Sequence, residues 1–199
     1  MTKRRASYCP YCGAGLDSKA FEGRDRRFCP DCERFVFQNP TPGAHVVVLD
    51  SGGPGPAGSA ATLHDSDSVL LIERAVEPDV GAWAVPGGVL EVDESPRVGA
   101  ARELEEEAGL SVDPAALELV RTGLDVDDPD DGSYLSVCFA VERGDTRGTP
   151  RPGAETSNAR FWSLAALTNE AAETRPLDCR RVEAAVERLR GEALALGER

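Results

Sequence analysis

The sequence predicts an α+β chain in two parts, a small cysteine-stapled module followed by one full-sized domain. Three observations carry that expectation. Two CxxC pairs, Cys9-Pro-Tyr-Cys12 and Cys29-Pro-Asp-Cys32, stand near the start with 16 residues between them. Two aliphatic runs, His45-Val46-Val47-Val48-Leu49 and Ser68-Val69-Leu70-Leu71-Ile72, read as buried strands. Ser95 to Gly109 reads as a helix with a row of carboxylates on one face. The 199 residues suffice for one such domain and a module, and not for several large domains.

The cysteine spacing points to a structural Zn²⁺ held tetrahedrally by Cys9, Cys12, Cys29 and Cys32. Each pair fits a tight turn that aims two sulfurs at one point, and Gly13 supplies the backbone freedom the first turn needs. About 38 residues cannot bury enough surface to fold alone, so the metal serves as the staple. The alternative, disulfides or redox pairs, lacks a secretory signal and a strand–helix pattern around either CxxC. Cys138 and Cys179 stand apart and read as core filler.

Charge sets the boundary. Residues 1–38 carry eight basic and five acidic groups, net +3, in a chain of net −13, so the remainder is −16. Asn39-Pro40-Thr41-Pro42-Gly43 has linker chemistry. The expected division is therefore a ribbon at 1–38 and the main domain at 39–199. Arg24, Arg26 and Arg27 either solvate the ribbon loop or contact a polyanion.

The basic total of 22 is 20 Arg with only Lys3 and Lys19, and the composition resembles that of haloarchaeal, salt-in proteins; an acidic protein from a GC-rich genome is the other reading. Net charge argues against general nucleic-acid binding by the whole chain. The longest apolar runs fall far short of the ~20 residues of a membrane span, and a cytoplasmic protein with no membrane partner is expected. Residues 51–67, rich in Gly, Pro, Ser and Ala, read as a surface insertion with His64 solvated. With His45 the only other histidine, a histidine-based triad has little support.

In the predicted helix Ser95 is placed to cap, Pro96 to start and Gly109 to stop. On a helical wheel Glu103, Glu106 and Glu107 fall within about a third of the circumference, opposite Val98, Ala101, Leu104 and Ala108. Arg97 and Glu105 fall toward the apolar side. Like charges four apart repel, so this face is unstable without cations, and three oxygen donors on one rigid face suit Mg²⁺ or Mn²⁺. Pro86-Gly87-Gly88 allows close backbone approach, so the Gly87 carbonyl is placed to complete the shell.

These residues carry a family resemblance. Trp83 to Leu110 resembles the Nudix box, G-x5-E-x7-R-E-U-x-E-E-x-G-U, at every defined position: Gly88, Glu94, Arg102, Glu103, Leu104, Glu106, Glu107, Gly109 and Leu110. The resemblance implies a mixed β-sheet sandwiched between helices, preceded here by a zinc ribbon. It also implies Mg²⁺-dependent hydrolysis of the pyrophosphate linkage in a nucleoside diphosphate derivative. Glu103, Glu106 and Glu107 would hold metal, while Glu94 and Arg102 would brace the helix. Glu155, in a later loop resembling the element that carries an extra Glu in relatives, is the candidate additional ligand or base. Arg74, closing the second strand, resembles a phosphate-contacting Arg.

Zinc ribbon followed by Nudix domain is similar to NADH pyrophosphatase-like members. Their SQPWPFPxS-like stretch is absent, and Arg121 to Ser133 with its acidic loop Asp125 to Asp131 stands there instead. The expected substrate is a small nucleotide, ADP-ribose or NAD(H)-like, with nucleic acid not expected as a partner beyond an NAD-capped RNA. The alternative is a non-catalytic nucleotide-sensing or nucleic-acid-binding regulator. The C-terminal stretch, about 178–196, with Val182, Ala185, Val186 and Leu189 at helical spacing, most simply packs on the sheet, a homodimer face being its other use.

Overall fold

The computed structural model describes residues 6–51, 67–128, 132–168, 173–191, 193–194 and 196. These fall into two compact units, one of Met1–Thr41 with Leu124–Leu135 and one of Pro42–Gly123 with Ser136–Arg199. Most of the 51–67 insertion, His64 included, lies outside the described residues.

In the first unit, β1 (Asp17–Phe21), β2 (Arg24–Cys29) and β3 (Arg34–Val36) form an antiparallel sheet in the order β1-β2-β3. Its apolar centre is small: Cys9, Leu16 and Cys29, with Cys32 and Val36 packed against them.

The second unit is built on a seven-stranded sheet. β4 (Thr41–Asp50) and β5 (Ser68–Arg74) lie at its centre, and β6 (Trp83–Ala84) and β7 (Gly87–Val89) pair with β5 and β4 respectively. α1 (Pro96–Ala108) follows, then β8 (Ser111–Val112), β9 (Glu118–Asp128) and β10 (Gly132–Glu142). β11 (Thr146–Arg147) pairs with β8, β12 (Thr156–Ser163) borders β5, and α2 (Leu164–Thr168) and α3 (Pro176–Arg190) close the chain. The main path runs β12-β5-β4-β10-β9.

Two apolar layers flank that sheet. Ala44, Val46 and Val48 pack with Leu70, Ile72 and Phe139 beneath Ala100, Leu104 and Ala108 of α1. Val47 and Leu49 face the other way, packing with Val69, Leu71 and Cys138 against Leu164 and Leu167 of α2 and Cys179, Val182, Ala185 and Val186 of α3. A strand covered on both faces reads as a continuous aliphatic run, because neither parity of its residues meets water. The result is the expected α+β architecture, a mixed sheet held between helices.

Several expectations shift. Strand β4 begins at Thr41, so Thr41 to Gly43 belong to the sheet, paired through Gly43 with Val89, and only residues before Thr41 connect. The helix wheel is rotated: Val98 is 46% exposed, and the buried stripe is Gly99, Ala100, Leu104, Glu107 and Ala108. Ser95 occupies the N-cap with extended backbone, but its side chain makes no cap bond; Gly109, at φ 68°, ends the helix with its N–H on the Glu105 carbonyl. The C-terminal helix spans Pro176–Arg190 rather than 178–196, because left-handed Gly191 terminates it. Part of the acidic loop is strand: Asp125 to Asp128 extend β9, while residues 129–131 lie outside the described ones.

Candidate active site and metal centre

In the first unit the two CxxC turns converge. The Cys9 and Cys32 sulfurs are 3.9 Å apart, those of Cys12 and Cys29 3.5 Å, and all four lie within 4.8 Å of one another. A tetrahedron with Zn–S bonds of about 2.3 Å demands sulfur separations of roughly 3.8 Å, so the quartet fits zinc. Each turn is followed by a left-handed residue, Gly13 at φ 78° and Glu33 at φ 51°. The Gly13 N–H donates to the Cys9 carbonyl, and the Cys32 N–H to the Cys29 sulfur.

In the second unit α1 presents the acidic residues, and Arg102 organises them. Its Nε and Nη2 donate to the two oxygens of Glu94 at 3.1 and 2.7 Å, and Nη1 donates to Glu103 at 2.8 Å and Glu106 at 3.0 Å. This contact holds the Glu94 carboxyl below its ordinary range, and the Glu91 N–H, also bonded to Glu94, acts in the same direction. Gly99 leaves room for Glu94, because a Cβ there would lie 2.8 Å from its Oε1.

Glu107 is buried, and its Oε2 accepts the Gly87 N–H at 2.8 Å. Burial pushes its carboxyl up to about 7; the Gly87 bond opposes this, and the charges of Glu103 and Glu155 add to it while that of Arg74 opposes it. Glu103 is likewise raised, chiefly by burial, against the pull of Arg102. Gly88 makes the place for Glu103, since a Cβ on Gly88 would meet the Glu103 carboxylate at 2.6 Å.

The loop carrying Glu155 docks on the end of α1. The Arg151 N–H donates to the Ala108 carbonyl, the Thr156 hydroxyl to the Glu107 carbonyl at 3.0 Å, and the Gly153 N–H to the Thr156 Oγ1 at 2.7 Å. Gly153 has no alternative there, because a Cβ would sit 1.7 Å from the Glu106 carbonyl oxygen. Glu155 is exposed, its carbonyl accepting the Ala75 N–H. Arg74 turns onto its own loop, donating to the Pro78 carbonyl at 2.8 Å and the Val76 carbonyl at 3.4 Å.

The structure thus gathers Glu94, Arg102, Glu103 and Glu106 into one polar cluster and sets Glu107 against Gly87. Among the described residues the cysteine quartet is the one group of metal-type side chains whose ligand atoms converge. Sequence reasoning missed a buried polar network: Asp178 accepts from Arg175 and Arg181 at 2.7 Å each, and Arg181 also donates to Ser136. The signal was the spacing Arg175, Asp178, Arg181, three residues apart from the N-cap into the first turns of α3. It also missed Thr156 and Gly153, which no charge or periodicity marks.

A family model described as NUDIX domain matches residues 54–180. The chain belongs to the Nudix family. An ADP-ribose pyrophosphatase of Methanocaldococcus jannaschii is 28% identical over 51% of this chain and 58% of its own length. The chain spans between 34% and 58% of the length of three curated relatives it matches. The solved NUDIX hydrolase from Nitrosomonas europaea superposes with TM-score 0.60 at 23% identity, covering 94% of this chain and 95% of that one. The NUDIX domain of Shewanella oneidensis NrtR, solved with ADP ribose, gives 0.61 at 22%, covering 81% and 94%. Among the described residues no helix is long and apolar enough to cross a membrane.

Proposed function

We propose that the chain is a divalent-metal-dependent pyrophosphohydrolase acting on a nucleoside diphosphate derivative, ADP-ribose or an NAD(H)-like dinucleotide. Water adds across the phosphoanhydride, one P–O bond breaks, and a nucleoside monophosphate leaves with a second phosphorylated product. The observation that carries this reading is the two-point contact of Arg102 with Glu94, which fixes α1 so that Glu103 stands against Gly88 and Glu107 against the Gly87 N–H. The name of the archaeal relative favours ADP-ribose within that class.

The donor set fits a hard cation. All its atoms are oxygens, and the charge of half-buried Glu103 raises the proton affinity of buried Glu107, which a bound cation relieves. Glu103, Glu106, Glu107 and the Gly87 carbonyl would hold Mg²⁺ or Mn²⁺, which when bound polarises the phosphorus centre and acidifies an attacking water. The chain's own residues do the rest. Arg102 orients two of the carboxylates, and the Gly87 N–H orients the third. Glu155, carried on a loop locked to α1 by Thr156, takes the proton from water or adds a ligand. The Arg74 guanidinium, steadied by two loop carbonyls, keeps N–H groups for a phosphate oxygen. In the module we place at 1–38, the four cysteines hold Zn²⁺ as a structural staple.

The test is product analysis on purified chain with ADP-ribose, NADH, dinucleoside polyphosphates and nucleoside triphosphates, in Mg²⁺ or Mn²⁺, at low and molar KCl, beside Glu107→Gln. A nucleoside monophosphate formed by the wild type and lost in the variant is the expected result. Folded wild type that binds one of these nucleotides and cleaves none would replace the hydrolase with a nucleotide sensor.

A further inference from the structure

One face of the β1-β2-β3 sheet is not used by the cysteine cluster. Lys19 lies opposite Arg26, Phe21 opposite Arg24, and Phe28 opposite Phe35. Opposed residues of antiparallel strands share a face, so these six side chains lie together, with Asp17, opposite Phe28, at the end of the row. Cys29 and Val36 alternate to the other side, where they pack with Cys9 and Leu16. Phe37, just past β3, extends the row: its ring is 6.3 Å from Phe35 and 6.2 Å from Phe21, and Phe35 lies 4.7 Å from Phe21 and 5.1 Å from Phe28.

Cations are set among the rings. The Lys19 ammonium stands 4.2 Å above Phe28 and the Arg26 guanidinium 5.5 Å from Phe37. The face is open: Phe37 is 52% exposed, Phe21 37%, and Lys19 and Arg24 are exposed. Four phenylalanines on one sheet face normally form a core, and here two are exposed and two half-buried in a net-basic stretch of an acidic chain. A simple polyanion does not need the rings, and an apolar protein surface is repelled by the desolvation of three interleaved cations. A polymer offering both a flat π face and a phosphate at every unit satisfies the whole set, provided its base faces are not stacked away in a duplex.

We propose that this face binds single-stranded nucleic acid, the phenylalanines stacking on bases and Lys19, Arg24 and Arg26 tracking the phosphates. This goes against the expectation drawn from net charge, which averages the basic ribbon with a strongly acidic remainder. The platform is sequence-tolerant, because every base has a π face. Its ring contribution outlasts the screening that molar salt imposes on phosphate contacts.

The test is fluorescence anisotropy of the full, zinc-loaded chain with labelled oligo(U) and oligo(dT) of roughly ten nucleotides, with a duplex of equal length and heparin as competitors, across a KCl series. The expected result is binding of a single strand with duplex and heparin competing at least about tenfold more weakly. Phe37→Ala and Phe37→Leu should each weaken binding roughly tenfold, the second keeping apolar area while removing the π face. Lys19→Ala should instead reduce the salt slope by about one. Unchanged zinc content and circular dichroism certify folding, and Glu107→Gln should bind as wild type, which separates this proposal from the hydrolase reading. Three outcomes overturn it: no strand bound, heparin binding as tightly as the oligomers, or Phe37→Leu binding like wild type. A Phe37-dependent dimer in sedimentation without oligonucleotide binding would give the face to a second copy of the chain.

Discussion

Arg102 holds Glu94 at both carboxylate oxygens, at 3.1 and 2.7 Å, across eight residues of sequence that leave the loop and enter the helix. The same guanidinium reaches Glu103 and Glu106. One planar cation therefore sets the helix position and the carboxylate orientation together. Arg102→Lys keeps the charge and loses the fork, so hydrolysis should fall roughly 10–100-fold. Because the pair is partly exposed, stability should drop by less than about 1 kcal/mol. Parallel kinetics and denaturant titration check both.

Two glycines separate activity from stability. At Gly88 an added methyl meets the end of the Glu103 side chain, which can swing; at Gly153 it meets the Glu106 backbone carbonyl at 1.7 Å, which cannot. Gly88→Ala should leave the melting temperature nearly unchanged while hydrolysis collapses. Gly153→Ala should cost about 1–3 kcal/mol and lower activity by pushing the Glu155 loop off α1. A calorimetric scan beside an activity assay distinguishes the two.

Asp178 is fully buried between Arg175 and Arg181, with Arg181 itself 1% exposed. Asp178→Ala removes the anion and leaves a buried guanidinium without it, which should cost about 3–5 kcal/mol. Equilibrium unfolding in urea reads the loss, and a value below about 1 kcal/mol would refute the assignment.

Burial pushes the Cys138 thiol up to about 12 from an ordinary 9.0, with Arg181 and Arg121 opposing and Asp178 adding. The folded chain keeps this proton where the unfolded chain has lost it. Stability from this group is therefore complete below pH 9 and declines from there to about 12, by up to roughly 1.4 kcal/mol per unit. Cys138→Ala should flatten that alkaline slope relative to wild type, measured as the difference between their unfolding free energies from pH 8 to 10.5 (about the range accessible before general alkaline unfolding).

What the sequence made legible was whatever has a short-range pattern. The cysteine turns, the two central strands, the cap glycine and the glutamates of α1 each follow from local spacing and stand in the element expected, whereas Gly88, expected in a loop, lies in β7. The wheel missed because Val98 and Ala100 project from nearly opposite sides of the helix while Leu104 and Ala108 fit a stripe with either, and apolar content alone does not say which stripe the sheet will cover. The acidic stretch after Leu124 extends a strand because cross-strand pairing overrides the poor β propensity of Asp. Thr156 and Gly153 were invisible because their roles depend on a contact with a helix some fifty residues earlier in the chain.

β4 alternates between two dry layers, with Ala44, Val46 and Val48 toward α1 and Val47 and Leu49 toward α3. A strand that meets water on one side is protected from slippage, since a shift by one residue would wet its apolar set. β4 has no such protection, because valines serve either layer. The mark that tells the correct pairing from the slipped one is polar: His45, on the α3 side, is buried with its proton affinity held well below normal by desolvation and by the charges of Arg181 and Arg175. One step of slippage would carry the imidazole out of that polar neighbourhood and under the aliphatic underside of α1. The lone histidine among the valines thus acts as a punctuation mark, giving the reading frame of a strand whose apolar letters are interchangeable.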